Sequence, residues 1–274
     1  MTLEQFEKFC NKLTAHQVFI KETPIIHRLG TSIKDYHHNI HVGQGDGAVY
    51  IGYKHNASKS VMSYDMKVEF NPSKFQNQDY HVDDVKVIYK IVFGSLCKVF
   101  EKNKKCISGM DFAFDFTLPM NKIIPYSLTG RQQDRHKGTI YYGNRGKHGY
   151  LRQYDKKKEM QEVQGIEIED EYLTRVEYSL RLPEGVTIND FRRKKFRIDE
   201  LYGFAVLDTK KLKGTLKACV LAYTTGLMDL KEFPRRQKEN IKKALKEMEV
   251  LDLDHILESR WEFVLDTIKY YIQR

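Results

Sequence analysis

Met110-Asp111-Phe112-Ala113-Phe114-Asp115-Phe116 is the stretch on which the fold turns. Successive side chains of an extended backbone point to opposite faces. Phe112, Phe114 and Phe116 therefore join Met110 on an apolar face, and Asp111, Ala113 and Asp115 share a polar one. This is the pattern of a half-buried strand. Two carboxylates on one strand face repel each other unless a cation or a proton relieves them. Ala113 leaves room between them for a hard divalent ion, which takes oxygen ligands. A plainly solvated strand face is the alternative reading of the same residues.

Working outward, the same alternation recurs on both sides. Residues 61–70 set Met62, Tyr64, Met66, Val68 and Phe70 against Val61, Ser63, Asp65, Lys67 and Glu69, and Asn71-Pro72 ends the run. Asp35 to Lys54 alternates around Gly43-Gln44-Gly45-Asp46-Gly47, which predicts a β-hairpin. Thr139 to Gly143 and Tyr150 to Asp155 flank a Gly-rich turn and should pair as a second hairpin. Tyr172 to Leu182 resumes a strand in which Arg175, Glu177 and Ser179 share a face. Glu177 and Glu69 are thus further candidate oxygen ligands, or ordinary polar-face residues.

In Tyr150-Leu151-Arg152-Gln153-Tyr154-Asp155-Lys156, continued extension would place Tyr150, Arg152, Tyr154 and Lys156 on one face. A phenol between two permanent cations suits a phosphodiester, because the cations hold its oxygens and favour a phenolate whose ordinary pKa is near 10. Taken alone this pattern is weak, since most tyrosines are packing residues.

Helical spacing appears at both ends of the chain. It predicts a short amphipathic helix over 2–14 and, further in, a core-facing helix over 84–101. Beyond Pro183 the character becomes helical, with a basic segment from Ile188 to Tyr202 and an apolar one from Thr215 to Leu227. After Pro234, which a first helical turn tolerates, Ile241, Leu245 and Met248 form a stripe opposed by Arg235, Arg236, Lys238, Lys242, Lys243 and Lys246. A last helix is expected over Leu253 to Ile272. The fold class is α+β: an antiparallel sheet core with packed helices over 1–183, then a basic helical region over 184–274.

Composition narrows the function. The 274 residues carry a net charge of +9, and residues 191–246 hold 16 Lys and Arg against 6 Asp and Glu, so the whole excess lies there. Such a region points to a polyanionic partner. No apolar run approaches the ~18 residues of a membrane span, and Met1-Thr2-Leu3-Glu4-Gln5 does not read as a signal peptide, which places the chain in the cytoplasm. Cys10, Cys97, Cys106 and Cys219 lack metal-ligand spacing, so reduced thiols are expected. His37, His38 and His41 do not form a His-hydrophobe-His pair: His38 and His41 fall on opposite strand faces.

Four segments in order resemble the transesterase family of rolling-circle replication initiators of Gram-positive plasmids, which also includes relaxases of integrative elements. They are Met66 to Pro72, Met110 to Phe116, Thr139 to Gly143 with Tyr150 to Lys156, and Tyr172 to Glu177. The resemblance implies that Tyr154 attacks a phosphodiester at the origin, giving a 5′-phosphotyrosine and a free 3′-hydroxyl primer with nicking-closing activity. It further implies Mg²⁺ or Mn²⁺, a homodimer, origin DNA recognised through the C-terminal segment, and a host helicase. Joined to the face argument, it makes Asp111, Asp115, Glu177 and Glu69 the metal-ligand candidates. Arg152, Lys156 and Arg175 become candidate phosphate contacts, and Arg235, Arg236, Lys238, Lys242 and Lys243 candidate DNA contacts. A conjugative relaxase and a non-catalytic single-strand-binding protein are the competing readings. Acids on a binding face argue against the second, since they would repel phosphate.

Overall fold

The computed structural model describes residues 20–22, 38–42, 49–56, 63–69, 71, 108–183, 186, 190–191 and 197–272. The chain divides into two compact units, 1–105 with 263–274, and 106–262. The helices expected over 2–14 and 84–101, and the run Arg192 to Lys195, lie outside the described residues.

The first unit holds a four-stranded sheet of β1 (Ile20–Glu22), β2 (His38–Val42), β3 (Val49–Asn56) and β4 (Ser63–Glu69), in that order. β2 and β3 pair antiparallel with Val42 opposite Val49, as the hairpin reading expected. Glu69 is the last residue of β4.

The second unit contains the alternating run of aspartates and phenylalanines. Gly109–Phe116 forms β5, in a five-stranded antiparallel sheet ordered β5-β10-β9-β8-β7. Its other members are β7 (Gln133–His136), β8 (Thr139–Tyr142), β9 (Tyr150–Asp155) and β10 (Thr174–Arg181). The expected α+β architecture is what the chain adopts. β9 is the central strand, and Tyr154 near its end pairs with Arg175 of β10, one residue beyond the Gln153–Ile140 pair that ends the register with β8. Phe112, Phe114, Ile140, Tyr142, Leu151, Val176, Tyr178 and Leu180 are buried. Each contributes roughly 1.5–3 kcal/mol through apolar burial. Phe191 and Trp261 cover this face, their rings 5.0 Å apart and Trp261 6.5 Å from Phe112.

A second sheet in this unit, β12-β11-β6, joins β6 (Ile123–Ser127), β11 (Tyr202–Val206) and β12 (Glu249–Val250). Against it pack α2 (Gly214–Thr225) and α3 (Arg235–Lys246), which bury Val220, Tyr223, Ile241, Ala244 and Leu245 around Ile124, Tyr126 and Ala205. Because β11 pairs with β6, with Phe204 opposite Pro125, the expected boundary at 183/184 falls inside this unit.

Three local expectations are corrected. The basic helix does not reach Tyr202: Ile198–Glu200 is a single 3₁₀ turn, and Tyr-Gly-Phe-Ala-Val enters β11. Aromatic and β-branched residues favour that strand once β6 offers a partner. The last helix is two, α4 (Leu253–Ser259) and α5 (Trp261–Ile272), separated at Arg260 with φ −107° and ψ 3°. Residues 119–138, whose prolines and glycines read in the sequence as a connection between strands, instead supply β6 and β7. Lys137 and Gly138, with φ 48° and 79°, make the two-residue turn into β8. Positive φ at both central positions matches the twist of paired strands.

Candidate active site

The polar face of the five-stranded sheet is built by register. Arg175 stands opposite both Asp115 and Tyr154, Glu177 opposite Ala113 and Arg152, and Ser179 opposite Asp111 and Tyr150. Glu177 is therefore diagonal to both aspartates and to Tyr154. Sequence alternation gave each strand its polar face; pairing through β10 brings these faces together.

Tyr154 is half-buried, with its hydroxyl on this face rather than in the core. The hydroxyl donates to Glu177 Oε1 at 2.8 Å. Arg152 donates from Nε to Glu177 Oε2, and its guanidinium lies 5.3 Å from the centre of the Tyr154 ring. Arg175 grips Asp115 with both arms of its fork, Nε to Oδ1 and Nη2 to Oδ2, each 2.6 Å. Arg181 Nη1 reaches Asp111 Oδ1 at 2.8 Å. Sequence reading missed Arg181, which shares the alternation of Arg175 and Glu177 on β10.

The electrostatics correct one expectation. Burial and the hydrogen bond to Glu177 hold the Tyr154 phenol well above its usual value near 10, and Arg175 and Arg152 pull it down only in part. The cations do not make a free phenolate here, because each already faces a carboxylate. The Arg175 guanidinium holds its proton more tightly through its bond to Asp115.

Lys156 does not join the face. β9 ends at Asp155, whose carboxylate accepts from the Lys158 amide at 2.9 Å and caps a short helix, α1 (Lys156–Glu159). That change of backbone turns Lys156 inward, where it is 6% exposed with its ammonium bound to Glu159. Gln153, on the opposite face from Tyr154, is fully buried and ties β9 to β6 by donating to Ile123 O at 2.8 Å.

Among the described residues no three His, Cys, Asp or Glu side chains converge as a metal cage. Mg²⁺ and Mn²⁺ do not require one, since one or two carboxylates with waters and a substrate phosphate commonly suffice for such a hard ion. Glu177 with Asp115 or Asp111, diagonal neighbours with Cα atoms ~7–8 Å apart, offers that oxygen-only donor set. Asp111 and Asp115 alone do not, because four residues of strand separate their Cα atoms by ~13 Å. Glu69 lies on β4 of the other unit.

The remaining candidates are on α3. Ile241, Ala244 and Leu245 are buried, while Arg235, Arg236, Lys242 and Lys243 are exposed and Lys238 is half-buried. Arg235 pairs with Glu239 and Lys243 with Glu247, one turn on. Arg236, Lys238 and Lys242 have no ion pair among the described residues.

No protein-family model matches the chain. A replication initiation protein from Staphylococcus aureus is 26% identical to it over 233 residues, which cover 77% of this chain and 64% of that relative. The chain resembles a replication initiator, as the four segments implied. Its match spans under two thirds of that relative's length. No described helix is long and apolar enough to cross a membrane.

Proposed function

We propose that the protein is a replication initiator that nicks one strand of origin DNA by transesterification, with Tyr154 as nucleophile. The observation that carries this reading is the placing of the Tyr154 hydroxyl. It sits at the solvent face of the central strand, aimed by Glu177 and flanked by Arg152 and Arg175. The likeness to a replication initiation protein supports the same reading.

In the proposed step Tyr154 Oη bonds to phosphorus and the bond to the 3′ oxygen breaks, leaving a 5′-phosphotyrosine and a 3′-hydroxyl that primes synthesis. The phenol proton passes to the carboxylate that already accepts it, Glu177 Oε1, and the leaving oxygen takes a proton from water. Arg152 and Arg175 exchange their carboxylates for non-bridging phosphate oxygens as the strand arrives. A Mg²⁺ or Mn²⁺ ion held by Glu177 with Asp115 or Asp111 would supply Lewis-acid polarisation of the phosphate and stabilise charge on the leaving oxygen. The exposed cations of α3 hold origin DNA. A homodimer and a host helicase complete the proposed assembly.

The test is incubation with Mn²⁺ and end-labelled single-stranded origin DNA, followed by denaturing electrophoresis. A 3′-end label carried onto the protein with the 5′ phosphate of the downstream fragment, and lost with Tyr154→Phe, is expected. Nicking without a protein adduct, or an adduct that survives Tyr154→Phe, overturns it.

A further inference from the structure

The polar face carries an aromatic pair that the chemistry above does not use. Tyr141 on β8 and Tyr150 on β9 are diagonal neighbours, Tyr141 standing opposite Arg152. Their rings stack with centroids 6.2 Å apart and planes at 20°. Both are half-buried and lie on the side away from Ile140, Tyr142 and Leu151, the core-facing residues of the same strands. A cross-strand aromatic pair steadies a sheet by a fraction of a kcal/mol, which accounts for the rings touching each other. It does not account for a pair set beside Arg152 in a row with Tyr154.

The surroundings are those of a strand-holding track. Tyr150 lies four residues from Tyr154 along β9, a span of ~13 Å, with Arg152 between them. Beyond Tyr150 the turn from Gly143 to Gly149 exposes Arg145 and Lys147, which have no ion pair among the described residues. Asp134, opposite Tyr141 on β7, is the acid of this end of the face. Stacked aromatics interleaved with cations bind single strands, because every base presents a π-face and every linkage a charge. Duplex bases are already stacked and cannot use such a surface.

We propose that Tyr141 and Tyr150 form a stacking platform for an unpaired base of the DNA strand that Tyr154 cleaves, next to the scissile phosphate on one side. The proposal rests on the nicking reading and gives it a reason to prefer a single-stranded or extruded nick site.

The test uses the full chain carrying Tyr154→Phe and origin oligonucleotides with 2-aminopurine at successive positions. Fluorescence should be quenched at one or two adjacent positions on one side of the nick site only. The added pair Tyr141→Leu and Tyr150→Leu should abolish that quench and weaken single-strand binding about tenfold, with duplex affinity changed less than twofold. Tyr→Phe at both positions should restore quench and affinity. An unchanged quench and affinity in the Leu pair overturns the platform. Should the Leu pair fail to fold, photocrosslinking of 5-iododeoxyuridine oligonucleotides to the Tyr154→Phe protein decides: crosslinks on Tyr141 or Tyr150 are expected, and crosslinks only elsewhere overturn it. The two readings fail separately. Quenching at this pair without any tyrosine adduct in the unmodified protein removes the nicking, whereas an adduct without quenching removes the platform.

Discussion

The Tyr154 hydroxyl donates to Glu177 Oε1 at 2.8 Å while Arg152 holds the other oxygen of the same carboxylate. One acid thus fixes the phenol and occupies a cation beside it. In the proposed nicking step a phosphate competes for Arg152, and the raised pKa of the phenol means that no phenolate waits in the free protein.

Replacing Tyr154 with Phe removes that donor and little else, since the ring stays beside Arg152. Adduct formation is expected to fall at least about 10³-fold, as for loss of any covalent nucleophile. Single-strand affinity should stay within about twofold. Melting temperature should change little, because the net worth of one such hydrogen bond is ~1 kcal/mol.

Asp115 and Arg175 offer a sharper test, because the acid occupies the cation that the phosphate would use. Asp115→Asn in the Tyr154→Phe protein should raise single-strand affinity about twofold to fivefold without divalent ion, the range expected for releasing a surface pair. Arg175→Gln should lower it about tenfold. Titration by fluorescence anisotropy in EDTA measures both. In the active protein Asp115→Asn should slow nicking, with excess Mn²⁺ recovering part of the rate, and EDTA should stop nicking altogether. Full nicking in EDTA would remove the ion from the proposal.

Lys156 separates packing from chemistry. Its ammonium is buried on Glu159 and not on the strand face. Lys156→Met should therefore shift stability by about 1 kcal/mol in denaturant titrations, through loss of a buried pair partner, and leave nicking within a few-fold. A large loss of nicking in a protein of unchanged stability would return Lys156 to the phosphate.

How far the site is legible in the sequence differs residue by residue. The faces of β5, β9 and β10 are legible because alternation has a period of two and does not depend on neighbours. The Glu177 contact to Tyr154 is not, since it needs the order β5-β10-β9, and pairing of strands distant in sequence leaves no local periodicity. Lys156 is misplaced by one residue of extrapolation: Asp155 is a good helix cap, and capping ends the strand that the face argument continues. β6 has a signal in Ile123-Ile124 and Tyr126, obscured by Pro125. That proline sits on β6 opposite Phe204.

Alkaline stability follows from the buried tyrosines. Tyr178 and Tyr202 are 2% and 1% exposed, and burial pushes each phenol up to about 12. A group whose pKa is raised by folding contributes its stability in full below its unfolded value near 10, and loses it as pH climbs towards the folded value. The protein should lose about 2 kcal/mol per residue between pH 10 and 12, since each tenfold change in proton affinity is worth ~1.4 kcal/mol. Denaturant midpoints followed by circular dichroism across that window measure the loss. Tyr202→Phe sacrifices the hydroxyl's bond to Gly149 O, 2.6 Å long, yet should flatten the decline.

On α3 the expectation concerns salt as much as affinity. Ile241, Ala244 and Leu245 anchor one side of the helix, so Arg236 and Lys242 can be replaced without touching the core. Each cation that meets a phosphate releases counterions, and its removal should reduce the slope of log affinity against log salt by about one. Arg236→Gln and Lys242→Gln together should therefore weaken duplex origin binding several-fold in low salt and lower the slope by about two. Arg235→Gln should do less, because Glu239 already takes part of its charge. If the slope is unmoved while binding falls, these residues act on origin DNA otherwise than through its phosphates. If neither changes, the DNA contacts proposed for α3 belong elsewhere on the chain.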